Sequence, residues 1–438
     1  MDVGQTQIEA ASVVVNNGSS RGRDGSVKHQ RGRAKVGRVS GGASRPGQSE
    51  AICGLTMLNT LTRAARRAWA DGQRKVGTEY VLEELLYRVD PTHVSGRRLV
   101  VATRERLRAR SPATKRRGWR SRDAGEGRPA EDDLNDVRQT LREAQWVGRR
   151  KSRMTYDHKT LSWSGAVWSA ASQALHLAEQ RKLSYAHRFH LLEAILNDPT
   201  NRANELLAQL NADPRWILDP RTATYLNDND NSIALSAMQL NLVGALSRPA
   251  SIITRLMKLT LRGFFVLKGA TVPIVAAVQA EGIRQAVRLG DRQVGPLHLL
   301  LAISAIADQL DQWHWTLSPR FALHSGAAEL LRSASLDYPA IVKAAIGKTD
   351  GTGPADRSRS WYRHAWNPSI GVDTTAVVAR ARSIQQQHGH DHAGTDHVLY
   401  SLLTGTDSPA VRVVAAAGAD VPALRSSLAQ RLGVVNDN

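Results

Sequence analysis

Four stretches of the 438-residue chain repeat one pattern, and this repetition constrains the fold more than any other feature. Each stretch begins with a run rich in alanine and leucine. It then passes through a short polar turn to a tetrad of the type Gly-Thr-acid-His, and it ends in a leucine-rich run. The four tetrads end at Tyr80, His190, His298 and His397. Repeats of this kind bury their apolar faces only against a neighbouring repeat. The sequence therefore predicts helical units that fold in pairs.

The residues around each tetrad predict where its second helix begins. Glycine precedes the tetrad helix in three units, which suits a tight turn after a helix; these are Gly77, Gly295 and Gly394. Thr78 and Thr395 can cap the helix through their hydroxyls. Pro296 replaces threonine in the third unit and is tolerated in a first helical turn. The apolar residues that follow recur at helical spacing, as at Val81, Leu82, Leu85 and Leu86.

Two of these phrases resemble those of a known family. The phrase Val-Gly-Thr-Glu-Tyr-Val-Leu from Val76 to Leu82 resembles the Gly-Thr-Glu-His phrase of the Clp N-terminal (Clp repeat) domain family, as in unfoldases of the ClpA and ClpC type. The stretch from His388 to Leu399 resembles it as strongly, and a Gly-Ala-Asp step with a closing helix follows. The resemblance implies an all-α fold with two Clp-N-like domains, each a pseudo-twofold pair of repeat units.

The resemblance and the composition together predict the domain organisation. Residues 1–50 are rich in Gly, Ser and Arg and are expected to form a disordered basic tail. A first Clp-N-like domain is predicted at 51–225, with an Arg-rich insertion at about 107–155. An amphipathic helical connector is predicted at 226–270, and the second domain at 271–438. No apolar run of signal-peptide or membrane-spanning character is visible, so a cytoplasmic location is expected.

The resemblance implies a docking function without an ATPase module. In Clp unfoldases this domain precedes the ATPase rings and captures adaptors and substrates. The chain carries no Gly-x-x-x-x-Gly-Lys-(Ser/Thr) string, which a P-loop needs to wrap phosphates. We therefore expect a non-catalytic protein- or peptide-binding module, without cofactor, that acts as an adaptor, substrate-docking or decoy protein. Its expected partners are a Clp-family unfoldase or the protein substrates and peptides of one.

Four residues are the candidate peptide- or partner-binding positions. In some family members the Glu of the Gly-Thr-Glu-His phrase helps to hold phosphorylated arginine on substrates. Glu79 matches this residue, and Asp396 matches it conservatively; Tyr80 and His397 follow them. The second and third units carry Phe189 and Leu297 there, and therefore no such site is expected in them. The alternative interpretation is that the two acids only stabilise the positive ends of their helices.

A second function remains open from the charge. The net charge is +19 and the pI is about 10.6, which favours polyanion partners because Lys and Arg release counterions from phosphates. The candidate nucleic-acid contacts are Arg104, Arg106, Arg108, Arg110, Arg116 and Arg117. The alternative is a solvated insertion with mixed charge.

Metal binding and catalysis are not predicted. The histidines at 388, 390, 392 and 397 cluster in sequence, but the family phrase also places His in and before its turn, so a capping and turn role is preferred over a metal site. The single cysteine, Cys53, excludes an intrachain disulfide framework and a Cys-rich zinc site. No Gly-x-Ser-x-Gly or His-Glu-x-x-His string occurs.

Overall fold

Helices provide nearly all the regular structure in the computed structural model. The residues that it describes are 51–88, 120–124, 135–152, 161–183, 185–212, 235–242, 244–247, 273–312, 314–345, 367–405 and 408–434. The first half contains α1 (Leu55–Ala70), α2 (Thr78–Arg88), α3 (Asn135–Ser152), α4 (Gly165–Gln180), α5 (Arg188–Asn197) and α6 (Arg202–Gln209). The prediction of an all-α fold is confirmed.

The second half of the chain is also built of helices. Its helices are α7 (Leu235–Leu242), α8 (Pro273–Leu289), α9 (Pro296–Gln312), α10 (Pro319–Ala322), α11 (Ala327–Ser333), α12 (Tyr338–Ala345), α13 (Val372–Gln387), α14 (Thr395–Leu403), α15 (Pro409–Ala416) and α16 (Val421–Leu432). Pro296 is the first residue of α9, as predicted, because a proline at that position loses no intrahelical hydrogen bond.

The long helix that opens each repeat unit ends in the same way in all four units. These helices are α1, α4, α8 and α13, and each is followed within two residues by one with a left-handed backbone. The φ angles are 66° at Gly72, 56° at Lys182, 86° at Gly290 and 65° at Gly389. A left-handed residue after a helix lets the chain reverse while the last carbonyls find donors. The same turn in all four places supports one common unit.

Pairs of two-residue parallel strands tie the units together. In the first half, β1 (Ile52–Cys53) pairs with β4 (Tyr185–Ala186), and β2 (Lys75–Val76) pairs with β3 (Ser162–Trp163). The strand before the first helix of each unit therefore pairs with the strand before the second helix of the other. Such a reciprocal exchange is what a pseudo-twofold relation produces. In the second half, β5 (Gln293–Val294) pairs in the same manner with β6 (Ser369–Ile370).

The buried apolar side chains form two clusters. The first extends from Ala51 to Ala212 and the second from Ala237 to Leu428. The predicted domain boundaries stay predictions. Residues 1–50 and most of the predicted connector lie outside the described residues.

Helix α3 departs from the sequence expectation. It occupies the end of the stretch predicted as an Arg-rich insertion, yet Val137, Leu141 and Ala144 are buried in the first core cluster. The helix packs against α1 and α8. Charged residues lie among these apolar ones along the chain, and Glu143 is itself buried, so the overall polarity of the stretch concealed an amphipathic helix.

A buried ionic network joins α3 to α8. Glu143 accepts hydrogen bonds from Arg284 and from Arg288, the latter at 2.9 Å, and Arg284 also donates to Glu281 at 2.7 Å. Burial acts to raise the pKa of Glu143, but Arg284 and Arg288 hold it below its usual range. Buried charges persist only when paired in this way. The network fixes the contact between these two helices.

Candidate binding site

Three of the four tetrads share one capping arrangement. His190, His298 and His397 are each the third residue of their helix, in α5, α9 and α14. In each, Nδ1 accepts a hydrogen bond from the backbone N–H three residues earlier, at 3.0, 2.8 and 3.1 Å. The imidazole thus performs the task of the Glu or Gln in a capping box. The histidine of the tetrad has a structural role at the start of its helix.

The predicted threonine caps are wrong. Thr78 and Thr395 lie one position inside the helix, as its first residue, where the hydroxyl does not reach the free N–H groups of the first turn. The hydroxyl of Thr78 instead donates to Asp123 at 2.7 Å and accepts from the backbone N–H of Ala203 at 3.1 Å. The hydroxyl of Thr395 has no hydrogen-bond partner among the described residues.

Tyr80 takes the place of histidine in the first unit and makes a different contact. The side chain is buried, and its hydroxyl donates to Asp71 at 3.2 Å. Burial and the negative charge of Asp71 raise the pKa of this phenol. The longer side chain therefore holds the turn at the end of α1.

Glu79 lies at the start of α2, where the sequence placed it, but it is only 7% exposed. One carboxylate oxygen is 3.5 Å from the guanidinium of Arg202, and the other has no hydrogen-bond partner among the described residues. Burial, with the nearby charge of Asp123, raises the pKa of Glu79 to about 7, against the opposing effect of Arg202. The carboxyl is thus held in a poorly solvated position.

Asp396 occupies the matching position at the start of α14 and is 2% exposed. The guanidinium of Arg431 and the backbone at Gly326 and Ala327 act to lower its pKa, and one carboxylate oxygen has no hydrogen-bond partner among the described residues. Burial raises its pKa to about 6 in spite of these contacts. The backbone N–H of Asp396 donates to the carbonyl of His324 at 3.1 Å. A segment from the third unit therefore covers this helix start.

The candidate residues form one pair in each half of the chain. Glu79 and Tyr80 belong to the first half, and Asp396 and His397 to the second. All four are buried. Another segment of the chain lies over each helix start, and a ligand would reach the acids only if that segment moved. Their assignment to partner binding stays a prediction.

Comparison with known families bears on the fourth unit. Residues 372–437 match the family model of the Clp repeat (R) N-terminal domain. This stretch of Clp repeat contains α13 to α16 and both Asp396 and His397. The match confirms the family resemblance seen in the sequence, and it relates this part of the chain to the N domains of Clp unfoldases. No curated protein matches the chain.

A histidine cluster surrounds the tetrad of the matched Clp repeat. Nδ1 of His390 is 2.8 Å from Nε2 of His397, and the ring of His324 stacks on that of His390 with centroids 4.1 Å apart. His388 and His392 lie at the edge of the group. Among the described residues, no group of three or more His, Cys, Asp or Glu side chains has a geometry that could hold a metal ion.

Three residues that shape these sites could not be identified from the sequence. Asp123, Arg202 and His324 each contact a tetrad helix from a distant part of the chain. Asp123 and His324 lie outside the repeated phrases, and Arg202 lies in the tail of the second unit, so only the tertiary structure brings the three to these helices. The residues next to them along the chain contain no pattern that could have identified them.

The remaining predictions lie elsewhere. Arg104, Arg106, Arg108, Arg110, Arg116 and Arg117 are outside the described residues. Nucleic-acid binding through them stays a prediction. In the part of the chain that is described, no helix combines the length and the apolarity needed to cross a membrane.

Proposed function

We propose that the chain is a non-catalytic protein- or peptide-binding module related to the N domains of Clp unfoldases. It acts as an adaptor, substrate-docking or decoy protein in Clp-type proteolysis, in the cytoplasm. The observation that carries the proposal is the Clp repeat at residues 372–437. The imidazole caps of α5, α9 and α14 and the four equivalent turns support the extension of this relationship to the other units.

A direct binding measurement tests the proposal. The purified full chain is titrated against a purified Clp unfoldase and, separately, against an unfolded model substrate. Saturable binding to either supports a docking role. If neither binds while circular dichroism shows a folded helical chain, the proposal is rejected.

Matched variants connect binding to the predicted residues. Asp396→Asn removes the charge at a buried helix start, and Asp373→Asn removes one from the exposed first turn of α13. We expect the first change to weaken binding and the second to leave it unchanged. Equal effects of the two variants would place the binding surface away from the tetrad of the fourth unit.

A degradation assay separates the remaining roles. An adaptor delivers substrates, so the chain would raise the rate at which a Clp protease degrades a client. A decoy competes for the same substrates or docking surface, so the chain would lower that rate in proportion to its concentration.

A further inference from the structure

Residues 120–124 cross the starts of three helices as a short bound peptide would. The backbone N–H groups of Arg120 and Ser121 donate to the carboxylate of Glu205 at 2.9 and 2.8 Å. The hydroxyl of Ser121 donates to the carbonyl of Thr200 at 2.5 Å. These contacts hold the backbone of the segment against α6 and the turn before it.

The carboxylate of Asp123 lies in a pocket of donors and is 1% exposed. It accepts from the backbone N–H of Thr78 at 3.0 Å, from the hydroxyl of Thr78 at 2.7 Å and from the backbone N–H of Arg202 at 3.1 Å. The carbonyl of Asp123 accepts from the backbone N–H of Ala166 at 3.1 Å. Thus the starts of α2, α4 and α6 all contact one residue. Helix N-termini favour a negative charge at such a point.

The surroundings of this pocket contain a polar group that the fold leaves unsatisfied. One oxygen of Glu79 is buried without a hydrogen-bond partner among the described residues. Its carboxyl is folded back against Gly77, where a Cβ atom would lie 2.0 Å from it. Leaving a buried polar atom without a partner costs free energy, so this position is suited to a donor that the resident segment does not supply.

The backbone of the resident segment is also strained. Asp123 has a φ of 53°, in the left-handed region that residues other than glycine rarely adopt. Strain of this kind persists only because the surrounding contacts hold the segment, and it lowers the cost of displacing the segment from them.

We propose that residues 120–124 are a built-in ligand, occupying a groove that takes a peptide carrying an aspartate side chain from a partner protein. The backbone contacts of Arg120, Ser121 and Asp123 favour a peptide over a small anion. The aspartate selects among peptides through the three donors from Thr78 and Arg202. This inference rests on the proposed function, because it names the chemistry that the first half recognises.

Peptide binding tests the proposal. The probe is a fluorescent peptide with the sequence of residues 118–126, Gly-Trp-Arg-Ser-Arg-Asp-Ala-Gly-Glu. The receptor is the full chain with residues 120–124 replaced by a Gly/Ser stretch of equal length. We expect saturable binding to this receptor. Binding to the unaltered chain should be at least about tenfold weaker, because a tethered segment competes at a high effective concentration.

Two peptide variants provide the matched control. Arg122 is exposed, whereas the carboxylate of Asp123 is buried among its donors. The peptide with Asp123→Ala should lose binding, and the peptide with Arg122→Ala should retain it. In the receptor, Thr78→Val removes one donor hydroxyl and should weaken binding about tenfold, the loss expected for one hydrogen bond to a charged group.

A second measurement covers the case in which the altered receptor does not fold. Excess peptide is added to the unaltered chain, and amide hydrogen exchange is followed by mass spectrometry. Displacement should speed exchange in residues 120–124, while the peptide with Asp123→Ala should not. A folded receptor that binds no peptide, or an unaltered chain without this change in exchange, would overturn the proposal.

The outcome is separable from that of the proposed function. If the chain binds an unfoldase or an unfolded substrate but the peptide fails both tests, only the built-in ligand is rejected. If the peptide binds but neither of those partners does, the groove exists and the relation to Clp-type proteolysis is rejected.

Discussion

Nε2 of His397 donates a hydrogen bond to Nδ1 of His390 across 2.8 Å. The direction follows from the cap, because Nδ1 of His397 already accepts the backbone N–H of Gly394 and the ring proton must therefore be on Nε2. Both contacts require neutral rings at the accepting nitrogens. The cap of α14 is thereby linked to the protonation of a neighbouring turn.

This link predicts an acid-sensitive fold. Burial, together with the charges that develop on the neighbouring histidines, lowers the pKa of His397 to about 3. The groups acting on it are His390, His324, His392 and His388, with Asp391 and Arg320 acting on His392. An unfolded histidine titrates at about 6.5. Between these pH values the unfolded chain binds more protons, so the free energy of unfolding should fall as the pH falls below about 6.5.

Urea titrations at several pH values measure this loss. His390→Gln removes one charge that develops beside His397, and we expect it to make the decrease shallower. His176→Gln, at an exposed position on α4, is the control and should leave the decrease unchanged. Parallel curves for the unaltered chain and His390→Gln would contradict the prediction.

Glu79 should contribute to stability with the opposite dependence on pH. Its pKa in the folded chain is raised to about 7 from an ordinary value of 4.5, so the folded chain binds more protons than the unfolded one between these values. Its contribution is therefore greatest below pH 4.5 and is lost as the pH rises through 7. Glu79→Gln should stabilise the chain at pH 8 relative to its effect at pH 5, as measured by urea unfolding. Glu193→Gln is the control: its partner Arg181 is charged at both pH values, so the change in stability should be similar at pH 5 and at pH 8.

The imidazole caps predict a ranking of substitutions at one position. His298→Ala removes the acceptor for the partly buried backbone N–H of Gly295 and also the contact of Nε2 with Asp291 at 2.9 Å, and it should cost about 1–3 kcal/mol. His298→Gln should cost less, because a Gln at the third position can reach back to the same N–H. Denaturant unfolding gives both values. If glutamine and alanine were equally destabilising, packing of the ring rather than capping would explain why the three imidazoles lie in the same position.

The ionic network at Glu143 should be much more sensitive than a surface pair. Glu143→Ala leaves Arg284 and Arg288 buried without their common acceptor and should cost about 3–5 kcal/mol. Arg181 and Glu193 form a pair at the surface, so Glu193→Ala should cost less than about 1 kcal/mol. Unfolding free energies of the two variants decide the matter, and similar values would show that water reaches the network.

Alanine substitutions at two glycines near the fourth tetrad should reduce the stability of the chain by different amounts. Gly394→Ala would place a Cβ atom 1.9 Å from the carbonyl oxygen of His324, so the covering segment or the helix start must shift. Gly389→Ala meets nothing within 4 Å, but its φ of 65° costs a side chain roughly 1–2 kcal/mol. We expect the first variant to unfold at a clearly lower denaturant concentration than the second. The reverse order would mean that the contact with His324 adapts easily.

The sequence predicted those features that depend on neighbours along the chain. Helical spacing located the cores of α2 and α14, and Pro296 marked the start of α9. The prediction of threonine caps was wrong because threonine and histidine both suit a helix start. Only the position of the first helical residue decides which of the two side chains reaches the free N–H. Asp123, His324 and the partners of Glu143 could not be predicted, since each contact depends on how distant helices pack.

The reciprocal strands carry a consequence for how such a chain can be divided. Strand β6 lies just before the matched residues 372–437, and it hydrogen-bonds to β5 of the preceding unit. The hydroxyl of Thr374 also donates to the carbonyl of Val294, at 2.5 Å. A fragment that begins at residue 372 would lack both β6 and the third unit. The start of its first helix, α13, would then lose the strand pairing and the hydrogen bond that the third unit provides. Adding or removing repeat units in pairs keeps every such strand pairing intact, whereas adding or removing a single unit breaks one of these pairings.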